Sequence, residues 1–340
     1  MLRLLRVTRT VPVLLCSSRW TVPVLLCSSP RTVSTRRMSS SGARLVVWSS
    51  RGCVAYLSPR PWTPGSVLLE PDPAGALGTS VFDLAEDVYL SLLLGARAVS
   101  RLLCERLGVR RCALVSRPQP HRPPHVQVLP LHGLGAEWRP HLAADEEFNP
   151  SDPGYCTSKS APRWTDERLT ELQGRVRAAL PDPGAPPDFT FLGEDPDVRG
   201  EELQWRVWDD PGHVSVLTPF PNTPGLTVVV PRRPLSSDIF SLEEPDYVSL
   251  VRAARTSALL LLRGLGASGV GMIFEGFEID YAHVKLMPLF SSCSSGDVSP
   301  CPSFYSSYPG FVSSEDGPEA SAEGLRALQT QLTSESTTSS

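Results

Sequence analysis

A chain of 340 residues with 41% hydrophobic and 20% charged residues is long enough for two domains of ordinary size. Its formal net charge of −4 is unevenly placed: residues 1–42 carry seven Arg and no carboxylate, which leaves the rest of the chain at −11. An acidic body argues against general nucleic-acid binding, and no apolar run reaches the ~18 residues that would span a bilayer.

The first segment, 1–42, is rich in Arg and Ser and free of acid, the composition of a mitochondrial transit peptide. A secretory signal is the runner-up, weakened by Pro12, Arg19 and Pro23, and a start at Met38 would instead give a cytoplasmic protein. Residues 43–140 open with the apolar stretch ARLVVW, followed by strands at CVAYLS and SVLLEP with a Pro-rich loop between them. Apolar residues at helical spacing predict a helix from Phe82 to Leu107, stopped by Gly108. RCALVS and HVQVLPL then read as two strands.

Residues 141–187 form a connecting segment with one helix, capped by Thr165, and PDPGAPPD reads as a linker. Residues 188–290 repeat the earlier order: SVLTP, a Pro loop, LTVVVP, a helix from Glu243 to Leu265 ended by Gly266, then GVGMIFEG and AHVKLMPL. The tail, 291–340, is Ser-rich and acidic and is expected to be mostly disordered. The eight Cys show no C-x-x-C spacing and no zinc-type cluster, so free thiols are expected and no metal site.

The two halves say nearly the same thing. CVAYLSPRPWTPGSVLLEP aligns with HVSVLTPFPNTPGLTVVVP, and HVQVLPL aligns with HVKLMPL. The offset is 160 residues at Thr63-Pro64-Gly65 and 158 at Phe82, Leu107 and His125. Two copies of one β-β-α-β-β unit follow, an antiparallel α+β arrangement.

The Pro-Gly segment before the helix, and the strand that carries a His and ends in Pro, resemble the histidine triad superfamily. The likeness covers most of each copy, with triad positions at Pro123, His125 and Gln127 in the first and Tyr281, His283 and Lys285 in the second. It implies an α+β fold of two units joined as an intramolecular pseudo-dimer. It also implies a small-molecule nucleotide as ligand, no cofactor, and a protein that works as a monomer. The middle His is implied to be the nucleophile, with Gln127, Lys285 and Tyr281 contacting substrate or phosphate. Such an imidazole attacks an α-phosphate without prior deprotonation, and water or phosphate then cleaves the nucleotidyl-histidine. On a strand, residues i and i+2 share a face, which groups His125 with Gln127 and His283 with Lys285. A family acid for ribose is replaced by Ser58 and Thr218, and the glycine-containing phosphate loop is absent. A catalytically inactive binding or scaffold protein of the same fold is the alternative.

Overall fold

A computed structural model describes residues 44–50, 52–73, 78–120, 122–182, 205–291 and 302–334. The chain divides into Met1–Arg44, of which only Arg44 is described, and Leu45–Ser340, which holds every element below. The expected targeting segment and, beyond Pro181 and Asp182, the PDPGAPPD linker lie outside the described residues.

Copy one runs β1 (Val46–Ser50), β2 (Cys53–Leu57), β3 (Val67–Pro71), α1 (Glu86–Leu107), β4 (Cys112–Ser116) and β5 (Val126–Pro130). After α2 (Asp166–Arg177), copy two runs β6 (Arg206–Asp209), β7 (His213–Leu217), β8 (Thr227–Pro231), α3 (Glu244–Leu265), β9 (Gly269–Phe274) and β10 (Val284–Leu289), and α4 (Ala322–Thr333) follows. Each unit therefore has one outer strand more than expected, β1 from ARLVVW and its counterpart β6. All ten strands form one antiparallel sheet in the order β1-β2-β3-β5-β4-β9-β10-β8-β7-β6. The copies meet at β4 and β9, with Leu114, Val115 and Ser116 opposite Phe274, Ile273 and Met272. This is the α+β pseudo-dimer that the duplication implied.

Helix α1 begins four residues later than expected. Val81–Asp83 instead make a short 3-10 turn, because Ser80 Oγ accepts from Phe82 N while Asp83 accepts from Ser80 N. Helices α1 and α3 lie on one face of the sheet and bury a single apolar core with Leu69, Leu114, Val128, Val229, Met272 and Leu286. The turn before β3 and β8 explains the repeated Thr-Pro-Gly. Gly65 and Gly225 have φ of 82° and 79°, and a Cβ there would fall 2.6 and 2.4 Å from Cδ1 of Leu107 and Leu265.

The two helices lock the copies together reciprocally. Tyr89 Oη donates to Val251 O (2.9 Å) and Tyr247 Oη to Leu93 O (2.7 Å), and both rings are fully buried. Arg97 donates to the carbonyls of Phe240 and Leu242, and Arg255 to that of Leu84.

The tail departs from expectation. Residues 302–320 form an arm across the second face of the sheet and 322–333 form α4. The arm is the counterpart of the connecting segment, with Pro309-Gly310 matching Pro153-Gly154 and Ser314 matching Ser158. Ser158 N donates to Val312 O (3.0 Å) and Ser314 N to Cys156 O (2.9 Å), about a bridge of Thr157 to Ser313. Each arm crosses to the other copy. Asn149 N and Ala161 N reach Asn222 O and Phe220 O, as Tyr305 N and Gly317 N reach Trp62 O and Arg60 O. Gln173 at α2 bonds Arg206 O, and Gln329 at α4 bonds Val46 O. Tyr308, Phe311 and Val312 supply the apolar contacts that hold this polar segment down. Thr165 sits at the N-cap of α2 without a capping side-chain bond, and Asp166 and Glu167 fill its first turn.

Candidate functional site

Both middle histidines stand at the start of the last strand of their copy, on the face that the arms cover, and each is 3% exposed. They do not share one site, because β4 and β9 run between β5 and β10. Their rings are held alike. His125 Nδ1 lies 3.0 Å from Pro123 O and His283 Nδ1 lies 2.8 Å from Tyr281 O. A carbonyl only accepts, so Nδ1 carries the proton and Nε2 keeps the lone pair. Burial pulls both imidazoles below the usual histidine range, with Arg122 adding to this at His125 and Lys285 at His283. Both are neutral near pH 7, as a nitrogen nucleophile must be.

This has a pH consequence. A histidine whose folded pKa is depressed contributes stability that is present above its unfolded pKa, about 6.5, and is lost as pH falls through the folded value. Between about pH 7 and pH 5.5, the wild-type melting temperature is therefore expected to fall further than that of a His125→Gln/His283→Gln double variant. Equal falls would show that neither imidazole titrates on unfolding.

The neighbours of the two histidines differ. Gln127 lies on the same face as His125 and is 8% exposed, its amide free of charge. In copy two, Lys285 Nζ is 2.6 Å from Glu278 Oε2 and donates to Ser158 O at 3.1 Å. Burial pulls the Lys285 ammonium down, but Glu278 and Glu275 outweigh it and the net direction is upward. Burial raises the Glu275 carboxyl, which accepts from Tyr308 Oη at 2.5 Å. Tyr281 points its hydroxyl at Pro231 O, 2.7 Å away. His132 Nε2 is 2.8 Å from Pro64 O, and Arg232 and Arg233 pair with Asp209 and Asp246.

Sequence reading missed Arg117, Glu70, Asp152, Glu275 and Glu278. Their signal was the disagreement between copies: position 117 is Arg where 275 is Glu, and 70 is Glu where 230 is Val. A cleft of about 590 Å³ is lined by Arg110, Arg111, Trp138, Arg139, His141 and Phe277, and by neither middle histidine. Among the described residues no group of three or more His, Cys, Asp or Glu side chains could hold a metal ion, and no helix is long and apolar enough to cross a membrane.

No family model matches the chain, and no curated protein does. Among solved structures the chain is similar to a uridylyltransferase, at 11% identity over 84% of this chain and 86% of that one, with a TM-score of 0.42. It is also similar to an ADP-glucose phosphorylase from Arabidopsis thaliana solved with bound ADP-glucose, at 8% identity over 84% and 82%, TM-score 0.44. A hypothetical histidine triad nucleotide-binding protein from Sulfolobus tokodaii strain7 matches at 17% identity over 38% of this chain and 80% of that one, TM-score 0.24.

Proposed function

We propose that the chain is a tandem histidine-triad-like protein that binds nucleoside phosphates and acts on them by hydrolysis or nucleotidyl transfer. The observation that carries this reading is the matched pair of buried, neutral imidazoles, each with Nδ1 held by a backbone carbonyl and Nε2 left as the nucleophile. Nε2 forms a bond to the α-phosphorus of a phosphoanhydride or phosphoramidate, and the bond to the leaving group breaks. Water or a second phosphate then cleaves the phosphorus–nitrogen bond and returns the free imidazole. Gln127 donates its amide N–H to a non-bridging oxygen.

The test is turnover of a dinucleoside tetraphosphate and of adenosine 5′-phosphoramidate by the full chain. A His125→Ala/His283→Ala double variant is expected to fall by roughly 10⁴-fold or more, and undiminished turnover in it would sink the nucleophile assignment. A second reading, a binding protein without catalysis, is favoured by the ion pair that already occupies Lys285 and by the depth of both histidines beneath the arms. Micromolar nucleotide binding without turnover in the wild type selects it.

A further inference from the structure

The two sites differ most where the duplication would have them agree. The β4–β5 register pairs Val115 with Gln127, and two further residues along it set Arg117 across from His125. The β9–β10 register pairs Ile273 with Lys285, and the same step sets Glu275 across from His283. Directly opposed residues share a face and lie within side-chain reach of one another. The middle histidine of copy one thus has an arginine across from it, where that of copy two has a glutamate. On its other flank His125 has Glu70, reached by the same step from Leu68 opposite Gln127, and that carboxylate accepts from Tyr56 Oη.

Arg117 is held but not saturated. Its side chain is 11% exposed, its Nη2 lies 2.7 Å from Asp152 Oδ2, and its Nε is buried with no acceptor. An N–H buried without an acceptor is costly to leave unmade, and an incoming oxyanion would satisfy it. The guanidinium fork suits a phosphate, which presents two oxygens to Nε and Nη2 together. Asp152 is the group in the way. It comes from the arm between the copies, and its Oδ1 is fixed by Gly154 N at 2.9 Å. Copy two leaves no such N–H open: Lys285 is paired with Glu278 and donates to Ser158 O, and Glu275 stands across from the histidine.

We infer that copy one alone holds the phosphate of the ligand, with Arg117 as its anion anchor and Asp152 as the carboxylate that the phosphate displaces. This rests on the nucleoside-phosphate reading above. Copy two then serves as a scaffold.

Calorimetric titration of the full chain with adenosine 5′-monophosphate, uridine 5′-monophosphate and inorganic pyrophosphate tests this. One site per chain is expected. Arg117→Gln should weaken nucleotide binding by roughly 10- to 100-fold, the loss of a charge-assisted bond, while Arg117→Lys restores part of it. Asp152→Asn should move affinity the other way and tighten binding by about threefold or more, because it removes the competing charge. A purely structural ion pair would make both variants less stable and leave affinity alone, so unchanged binding in both, or weakening in both, overturns the inference. Two sites per chain, the second abolished by His283→Ala, also overturns it while leaving the nucleoside-phosphate reading intact. Pyrophosphate binding that responds to Arg117→Gln with no nucleotide binding would keep the anchor and reject the nucleoside. Binding of none of the three rejects both.

Discussion

Replacing Tyr89 or Tyr247 by alanine is expected to destabilise the protein by about 3–5 kcal/mol each, read from the midpoint of urea denaturation. Both rings are fully buried, stack beside Phe82 and Phe240 at 6.0 and 6.2 Å, and send their hydroxyls to a carbonyl on the opposite helix. Alanine removes the ring, leaves a cavity at the crossing of α1 and α3 and takes away the cross-helix bond to a mid-helix carbonyl. Phenylalanine keeps the ring and loses only the bond, so Tyr89→Phe should cost about 1–2 kcal/mol. The two sites belong to one network with Arg97 and Arg255, so the double alanine variant should fall short of the sum of the singles. A loss under about 1 kcal/mol for either alanine would show that the helix crossing does not depend on these rings.

Lys285→Met is expected to destabilise by about 3–5 kcal/mol at neutral pH. Lysine here is 7% exposed by side chain and is the cation between Glu278 and Glu275, so its removal leaves the partly buried Glu278 carboxylate uncompensated beside the buried Glu275. The pH dependence separates charge from packing. Lys285 is raised, so its contribution is complete below its unfolded pKa of about 10.4 and fades as pH rises through the folded value. Lys285 outweighs burial at Glu278 and holds it low, so that contribution is complete above about 4.3 and is lost as pH falls through the folded value. In the Met variant burial acts on Glu278 without Lys285 and raises its carboxyl, so the deficit should shrink between about pH 7 and pH 4 as Glu278 protonates in the folded state. A Lys285→Met/Glu278→Gln double variant should recover part of it. An equal deficit at both pH values would point to lost packing in place of lost charge.

The scaffold was legible because its demands fall on side chains. A strand buried on both faces must be apolar at nearly every position, as LTVVVP and SVLLEP are, and a turn that needs positive φ must carry glycine, as at Gly65 and Gly225. The middle histidines were legible because they fall at one register in two copies. The arms were not, because their contacts are largely backbone to backbone: Ser158 to Val312, Ser314 to Cys156 and Gly317 to Arg60 ask little of residue type. A Ser-rich, acidic segment therefore reads as solvated chain while it lies flat on a sheet. Its kinship to the connecting segment survives at Pro-Gly, Ser314, Leu328 and Gln329, at an offset of 156 in place of the 158 and 160 that relate the two copies. Arg117 and Glu275 escaped for the opposite reason, since comparing copies draws attention to what they share.

The seam between β4 and β9 carries three residue pairs, yet it never has to be found by two molecules colliding. The peptide chain holds the halves at a high effective concentration, so dilution does not part them. In an assembly of identical subunits every substitution is copied into every site. Here one half can carry a guanidinium where the other carries a carboxyl, and neither choice is imposed on its twin. Covalent fusion thus turns a symmetric pair into a molecule with a left and a right hand, in which the damage tolerated on one side can be the supporting frame of the other.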